Sequence, residues 1–380
     1  EAQLTTIDSP SCRVSMKVGV LEGDGNAIGY AEVILDASIE ELASDEYIGY
    51  SRKRYKEFFS DGGVSRDLFV YSNHCHILRS VFDLQVPGLS NREFIMKTWW
   101  KRIGPGQIVV VSNSLADSEQ EWNFPTLLQN AVRGSCWVVA SYERLPPVRG
   151  IPQTKRRCYT KINVAGNVPV KIASNGIQRR LLHAERLRLT FDKSRELDGA
   201  RRAEFIEKIK DYQGIYTGEE TTQLEFGRSW LEDFDQLPQI KKINSDSPLA
   251  ISKIGRKPTE SVAWGRSEIE VRASMEEVLA FAWQIDSRSR ASDSSETEVI
   301  ENINAHNRVV YICKKGYQSG LLHLRYKEFL NAMLWKTLDD NSAVVVERPT
   351  QHDARPIQQN QTDRKRIEMR TVSKVERISK

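Results

Sequence analysis

The alternation of apolar and polar residues changes period early in this chain. Residues 29–36 read GYAEVILD, with small or apolar residues at the odd-numbered positions, as in a half-buried strand. Ser38 and Glu41 follow with the spacing of a capping box, in which a hydroxyl and a carboxylate satisfy the first free N–H groups of a helix. The pattern therefore predicts a strand followed by a capped helix.

Six further apolar segments follow, with no clear helix between them. Pro87-Gly88, Gly104-Pro105-Gly106 and Pro146-Pro147 are turn signals that separate several of them. This short spacing favours an antiparallel meander. The predicted strands are 67–71, 76–84, 92–101, 107–113, 134–143 and 154–164, and residues 114–133 are predicted to form a loop or to carry a short helix.

An amphipathic helix is predicted after Pro169, because proline is well tolerated in the first turn of a helix. Its apolar face would lie on an apolar surface. His183 is expected to face solvent, and the run Arg52-Lys53-Arg54 is expected to lie on a solvated surface. The apolar positions are Val170, Ala173, Ile177, Leu181 and Ala184, and the basic positions opposite them are Lys171, Arg179 and Arg186.

Two parts of the chain recur. Residues 29–43 match 265–279 at an offset of 236, including a second capping box at Ser274 and Glu277, and residues 92–111 match 327–346 at an offset of 235. Two matches at nearly the same offset predict a duplicated domain. Within them Glu93, Trp100 and Lys101 recur as Glu328, Trp335 and Lys336.

The length of 380 residues suits two domains, and the repeat predicts where they lie. A near-complete copy is expected at 12–210 and the first portion of a second copy at 261–380. Residues 211–260 are polar, contain Gly214, Gly218 and Pro238, and are predicted to be a linker with a little local helix. We expect the chain to be a fragment of a longer protein, and residues 262–380 to be poorly stable alone.

Composition narrows the class of protein. Apolar residues make up 39% and charged residues 28%, which permits a real core and excludes a disordered chain. No segment approaches the roughly 18 apolar residues of a membrane span. The net charge of +4 is matched by the last eighteen residues alone, so the broad basic face of a nucleic-acid binder is not predicted. Five scattered cysteines fit free thiols in a reducing compartment.

Candidate chemistry is sparse. His74-Cys75-His76 alternates along a predicted strand and has no matching pair at zinc-site spacing. The sequence has no nucleophile elbow, phosphate loop or dinucleotide fingerprint. We therefore predict no metal, no cofactor and no catalytic residue.

Four segments resemble the START (steroidogenic acute regulatory protein-related lipid-transfer) family. Residues 91–100, NREFIMKTWW, resemble the strand that typically begins Arg-Asp-Phe-Val, and 106–114 resemble the next strand. Residues 163–169, NVAGNVP, resemble the Asp-x-x-Gly-x-Ile-Pro entry to the last helix, and 172–175 resemble the pattern after it. Order and spacing agree across about residues 20–195, although Glu and Asn replace the family's Asp at the first and third segments.

The resemblance implies an α+β helix-grip fold, in which a curved antiparallel sheet wraps around a long C-terminal helix, here duplicated with the second copy incomplete. In the family this fold encloses an apolar tunnel for one lipid or sterol. Plain core packing is the alternative for each residue below, and the choice between Trp99 and Trp100 stays open, although the recurrence of Trp100 favours a structural role. By resemblance the candidate cavity-lining residues are Trp99, Trp137, Tyr159, Ala173, Ile177 and Leu181.

The leading functional hypothesis is non-enzymatic binding of a lipid or sterol for intracellular transfer or sensing. The expected partners are that ligand and, transiently, a membrane surface, with no nucleic acid. The expected location is the cytoplasm, with peripheral association at membranes, and no oligomeric state is predicted. The alternatives are a helix-grip enzyme of the aromatase/cyclase type and a protein-interaction scaffold that has lost its cavity.

Overall fold

A computed structural model of the chain describes residues 4–9, 13–20, 27–115, 131–166, 170–245, 247–257, 262–314, 316–319, 322–356 and 364–378. These residues form two compact units, which we call the first unit (Glu1–Lys193) and the second unit (Ser194–Lys380). Each unit is described by itself.

The first unit is built on a ten-stranded sheet in the order β1-β2-β3-β10-β9-β7-β6-β5-β4, antiparallel except that the short β8 pairs with β6 in parallel. The predicted meander is confirmed, with strand ends that differ by a few residues. The strands are β1 Thr5–Ile7, β2 Val14–Val20, β3 Ala27–Leu35, β4 Gly63–Ser72, β5 Cys75–Phe82, β6 Arg92–Gly104, β7 Gln107–Ser114, β8 Val132–Arg133, β9 Ser135–Val148 and β10 Ile151–Asn163. Residues 116–130 of the predicted loop lie outside the described residues.

Helix α1 (Ile39–Tyr47) begins at the predicted capping box. The Ser38 hydroxyl accepts from the Glu41 N–H at 3.2 Å, and the Glu41 carboxylate accepts from the Ser38 N–H at 3.0 Å. Helix α2 (Arg52–Ser60) begins at Ser51, whose hydroxyl accepts from a backbone N–H in the same way. These local interactions fix where both helices start.

The closing segment forms two helices, α3 (Val170–Leu181) and α4 (His183–Thr190), because the helix is interrupted at Leu182. The predicted apolar face is buried at Ile177, Leu181 and Ala184. A Cβ atom at Gly29 would lie only 2.6 Å from Cγ2 of Ile177, so glycine permits α3 to lie directly on β3. The inner face of the first sheet is the face that these helices and α1 cover.

The second unit contains the remaining elements. Its main sheet has the order β14-β15-β18-β19-β21 with β20 beside β18, a second sheet has the order β11-β12-β13, and β16 pairs with β17. The helices are α5 Ser194–Lys210, α6 Gly218–Asp235 and α7 Met275–Trp283, with a 3-10 turn at Arg288–Asp293. The strands are β11 Ile240–Ile243, β12 Ala250–Arg256, β13 Ala263–Ile269, β14 Ser294–Asn302, β15 Asn307–Lys314, β16 Tyr317–Ser319, β17 Leu322–Leu324, β18 Tyr326–Asp339, β19 Ser342–Pro349, β20 Arg364–Arg366 and β21 Thr371–Glu376.

The recurring tryptophans make the same hydrogen bonds in both units. The indole N–H of Trp100 donates to the Asn73 carbonyl at 3.0 Å, and that of Trp335 donates to the Ala305 carbonyl at 3.2 Å. The backbone N–H of Trp100 also donates to the His74 carbonyl, and that of Trp335 donates to the His306 carbonyl. In each unit this histidine directly follows the residue that accepts from the indole. Sequence alone had matched the tryptophans, and these contacts support the predicted repeat with equivalent tertiary bonds.

The recurring glutamates, Glu93 and Glu328, also make equivalent ion pairs. Glu93 on β6 lies opposite Arg133 on the parallel strand β8, and Glu328 on β18 lies opposite Arg366 on the parallel strand β20. The carboxylate–guanidinium distances are 2.8 Å and 3.5 Å, respectively. A short parallel strand held by an ion pair therefore occurs at the same place in each unit.

The predicted linker 211–260 is not a linker in the structure. It contains α6 and two strands, β11 and β12, whose pairing with each other and with β13 has the register of β1, β2 and β3 at an offset of 236. The local pattern hid these elements because β11 and β12 are short and largely exposed, so they carry little apolar alternation.

Helix α5 was expected within the first domain, which was placed at 12–210, but it packs in the second unit. Ile209 joins the core formed by α7 and the main sheet, and the ring of Phe205 lies edge-on to Trp335 with centroids 5.7 Å apart. The boundary between the units therefore falls at Lys193 and Ser194, because α5 buries its apolar residues against α7 and not against the first sheet.

A fragment comparison tests these boundaries. Residues 194–380 keep α5 and α6 and should unfold cooperatively in urea, whereas residues 262–380 omit both helices, expose the apolar surfaces that they cover and should show a broad transition or none. Tryptophan fluorescence during urea titration measures both fragments. Equal cooperative transitions for the two fragments would contradict the assignment of α5 and α6 to the second core.

Candidate functional site

A row of mostly polar side chains crosses the inner face of the first sheet. Strand register places these residues opposite one another on successive strands, and alternate residues of a strand face the same side. The hydroxyls of Thr98 and Ser112 lie 2.8 Å apart and share a hydrogen bond. From β3 to β5 the row consists of Gly29, Thr160, Val138, Ser112, Thr98 and His76.

The next row along the inner face is mainly apolar. It contains Ile162, Cys136, Met96 and Leu78. Although they face the interior, Ile162, Cys136 and Met96 are only half-buried. Inward-facing side chains that keep access to solvent could contact another molecule beside the polar row.

Three buried polar atoms near this row have no hydrogen-bond partner among the described residues. They are Nδ1 of His76, Oγ1 of Thr160 and Nε of Arg66, a residue of β4. A buried polar atom without a partner costs about 1–3 kcal/mol, so such atoms are uncommon in folded proteins. All three belong to the inner face, with Thr160 on β10 four strands away from His76 on β5, and a ligand spread along this face could supply the missing partners.

The protonation state of His76 and the charge of Arg66 favour binding of a ligand that accepts hydrogen bonds. Burial lowers the pKa of His76 to about 4, with a further contribution from the charge of Arg66, so the imidazole is neutral near pH 7. Among the described residues Arg66 has no carboxylate partner, and its guanidinium lies over the Phe58 ring at 5.0 Å. A half-buried cation without a carboxylate partner in the described part of the chain, beside a neutral histidine, suits an anionic or strongly hydrogen-bonding head group.

One end of the inner face is closed by an ionic cluster. Glu46 of α1 accepts from the Arg156 guanidinium of β10 at 2.8 Å and from the Tyr142 hydroxyl of β9 at 3.2 Å. Its carboxylate also lies 3.5 Å from His183 of α4 and 3.8 Å from Arg180 of α3. We call this set the Glu46 cluster, and it ties three helices to two strands.

Burial and charge oppose each other in the Glu46 cluster. Burial disfavours the ionised carboxylate, but Arg156, His183 and Arg180 outweigh burial and hold the pKa of Glu46 well below its usual range. Burial lowers the pKa of His183 to about 4 even though Glu46 favours its charged form. The cluster therefore holds an ionised carboxylate with Arg156 as its main counter-ion.

Two surface expectations were wrong at this cluster. His183 does not face solvent, since its side chain is only 12% exposed. Of the run Arg52-Lys53-Arg54, the first two residues are exposed as expected, but Arg54 is not, because its guanidinium bonds the Asp45 carboxylate at 2.5 Å and lies 3.4 Å from His183. Spacing along a helix could not show that α1 would bring a carboxylate to this point.

The structure separates the six predicted cavity residues. Ile177 and Leu181 lie on the inner face, buried against β3. Ala173 belongs to α3, but its side chain lies outside the described residues. Trp99, Trp137 and Tyr159 lie on the opposite side of the sheet, which we call the outer face, and are 37–43% exposed.

The three aromatic predictions failed for one physical reason. Adjacent strand residues face opposite sides, and the resemblance did not fix which of the two alternating sets of residues faces inward. Trp100 is the inward neighbour and packs against the core, whereas Trp99 is outward. The residues that sequence reasoning missed are Arg66, His76, Thr98, Ser112 and Thr160, and the buried Gly29–Leu35 alternation was the signal that could have fixed the parity.

The motif His74-Cys75-His76 is split by the strand. His74 stacks on Trp100, with ring centroids 4.4 Å apart, whereas Cys75 and His76 face opposite sides of the sheet. Among the described residues no three His, Cys, Asp or Glu side chains group as a metal site would require. No helix in the described part of the chain has the length and apolar character to cross a bilayer.

Comparison with solved structures finds similar folds at low identity. The human StarD13 lipid transfer and protein localization domain is 16% identical with a TM-score of 0.39, over 51% of this chain and 91% of that one. A STAR-related lipid transfer protein from Xanthomonas axonopodis is 14% identical with a TM-score of 0.36, over 50% and 99%. Truncated norcoclaurine synthase from Thalictrum flavum is 14% identical with a TM-score of 0.21, over 47% and 97%.

No model of a protein family matches the chain, and no curated protein does. The TM-scores are below 0.5, so the description of the fold rests on the chain's own strands and helices. The first unit is an α+β structure with an antiparallel sheet and closing helices on its inner face. That arrangement is START-like, as the sequence motifs predicted, with α3 and α4 in place of one long helix.

Replacing Glu46 tests the ionic cluster. Glu46→Gln leaves Arg156 buried without its counter-ion, and we expect a loss of about 3–5 kcal/mol in the free energy of unfolding. Glu40→Gln on the same helix is the matched control, because the Glu40 carboxylate is exposed and its loss should cost at most about 1 kcal/mol. Urea unfolding at pH 7 measures both, and equal losses would contradict the cluster's role.

The buried histidines predict a pH dependence. His76 and His183 have a pKa of about 4 in the folded chain, against about 6.5 when unfolded. Between these values the unfolded chain binds protons that the folded chain does not, so stability is present above pH 6.5 and falls as the pH falls towards 4. Urea unfolding at several pH values should show a smaller fall for His76→Phe than for the unaltered chain, and identical slopes would contradict this.

Proposed function

We propose that the first unit binds a single lipid or sterol-like amphiphile between its inner face and α3. The observation that carries the proposal is the set of buried, unpartnered polar atoms that Arg66, His76 and Thr160 place along the inner face, beside half-buried apolar side chains. An amphiphile would match both the polar atoms and the apolar side chains. Its head group would pair with the polar atoms, and its tail would cover Met96 and Ile162. Burying the tail contributes roughly 25 cal/mol per Å² of apolar surface.

The Glu46 cluster supports this proposal by what it does to the site. It occupies the inner face at one end and holds α1, α3 and α4 over the sheet. A ligand is therefore expected to extend from the polar row toward the end that the cluster does not occupy. In this reading the unit acts in transfer or sensing, in the cytoplasm, with transient contact at a membrane surface.

Catalysis is the second candidate, because one observation favours it. The alternation pattern predicted aromatic and aliphatic side chains inside, but His76, Thr98 and Ser112 lie there. A neutral imidazole with a free ring nitrogen can act as a general base. Turnover of a polyketide-like substrate that His76→Phe abolishes, with binding retained, would favour this candidate over simple transfer.

We propose a different role for the second unit, as an interaction scaffold. Its inner face is filled by its own aromatic side chains: Trp335 lies near Trp283, Phe205 and Tyr212, with ring centroids 5.0–6.4 Å apart. Met333 occupies the position in the second unit that Thr98 occupies in the first, and both side chains face inward. This packing supports a unit that keeps the sheet without the ligand site.

Lipid extraction tests the main proposal. Met96→Trp adds volume on the inner face, and we expect the purified variant to carry at least about tenfold less extractable lipid than the unaltered chain, as judged by mass spectrometry. Lys97→Trp is the matched control, because Lys97 is the neighbouring residue on the exposed outer face. Absence of lipid from the unaltered chain, before and after incubation with liposomes, would contradict the proposal. Equal lipid in the two variants would place the ligand elsewhere.

A further inference from the structure

The outer face of the second main sheet is covered by helix α6. Leu334, Val344 and Val346 face α6 and form a cluster with its Leu224, and they are at most 1% exposed. A Cβ atom at Gly227 of α6 would lie 2.6 Å from Cγ2 of Val346, so the helix lies directly on the sheet. Without α6, the apolar side chains of this face would be exposed to water.

The first unit has a similar face, and no helix in the described part of this unit covers it. Trp99, Val111 and Val139 lie opposite one another on adjacent strands, as Leu334, Val346 and Val372 do in the second unit. Trp99 nevertheless stays 37% exposed, whereas Leu334 is fully buried.

This apolar row, exposed at Trp99 and Tyr159 and partly exposed elsewhere, extends beyond the positions that recur. Tyr159 lies opposite Val139, and Tyr30 lies opposite Tyr159, with the two tyrosine rings 4.8 Å apart. Together with Trp99 and Val111 these residues cross five strands. A continuous row of this kind on an exposed face is characteristic of a binding surface.

The charge of α6 indicates which helices suit such a face. Six acidic residues and one arginine lie within Gly218–Asp235. At the sheet, Glu219 accepts from Arg348 at 2.8 Å, and the guanidinium of Arg370 lies over the rings of Phe226 and Trp230. An acidic amphipathic helix thus meets a sheet edged by cations.

The first outer face offers the same kind of charge. Lys17 lies opposite Tyr30, and Lys97 and Lys101 flank Trp99 on the same side of β6. Two acidic residues of the face, Glu32 and Glu143, both bond the guanidinium of Arg157. The uncompensated side chains around the row are therefore basic, which complements an acidic helix.

We propose that the outer face of the first unit is a docking surface for an acidic amphipathic helix of a partner protein, bound as α6 is bound in the second unit. The helix would lay its apolar side along Trp99, Val111 and Val139 and its acidic side chains toward the lysines. This surface is separate from the inner face, so the inference does not depend on the proposed lipid site.

A synthetic α6 peptide tests the proposal. Fluorescein-labelled peptide spanning residues 216–236 is titrated with the full 380-residue chain, and fluorescence anisotropy reports binding. We expect saturable binding that Trp99→Glu weakens by about tenfold or more, because a charge like that of the helix replaces the central anchor. Ile34→Glu is the matched control, since Ile34 is 40% exposed and lies on the same face outside the row; binding should change less than about twofold.

Three outcomes would overturn the proposal. They are absence of saturable binding, equal binding by Trp99→Glu and the unaltered chain, and equal binding of a scrambled peptide of the same composition. Equal binding by Trp99→Glu would show that the peptide exchanges with α6 in the second unit. Co-sedimentation with vesicles of phosphatidylcholine and phosphatidylserine, lost in Trp99→Glu while the peptide does not bind, would assign the face to a membrane surface instead. Circular dichroism melting of each variant verifies that it is folded.

Discussion

A buried carboxylate paired with arginine is the interaction on which the first unit depends. Glu46 brings α1, α3 and α4 to two adjacent strands through Arg156, Arg180, His183 and the Tyr142 hydroxyl. The charged groups of Glu46 and Arg156 are both buried, and isolated burial of either charge would be strongly unfavourable, so each is stable only when the other is in place. The position of the closing helices over the sheet, which bounds the proposed ligand site, follows from this mutual requirement.

The duplicated unit shows which features the architecture requires and which it leaves free. The tryptophan that bonds a loop carbonyl and the glutamate that pairs with a short parallel strand occur in both units. Each connects a strand to a segment outside its own hairpin, so replacing either residue would remove the same tertiary contact in each unit. The faces of the sheets have no such restriction, and there the two units differ.

The two units differ in what covers the inner and outer faces of their sheets. The first unit leaves polar atoms unpartnered inside and an aromatic row exposed outside, whereas the second fills its inner face with aromatic rings and covers its outer face with α6. The two proposed roles, ligand binding for the first unit and protein interaction for the second, follow from this difference in which face is left open. This contrast motivates both proposals for the first unit.

The sequence by itself determined the local features of this protein. The capping boxes at Ser38 and Ser274, the meander between turn signals and the recurrence of Trp100 as Trp335 all depend on neighbours close in the chain, and the structure contains them. Apolar spacing also placed Ile177 and Leu181 on the buried side of the closing helix, because helical periodicity fixes which residues share a face.

Tertiary structure alone decided the rest. Strand parity turned Trp99, Trp137 and Tyr159 outward, since alternation gives two faces but not which one is covered. The buried state of His183 depended on Glu46, a residue far away in the chain, and α5 was assigned by the core that it could reach. Each of these outcomes depends on contacts between distant segments, which local spacing does not encode, and the candidate site is built mainly from such contacts.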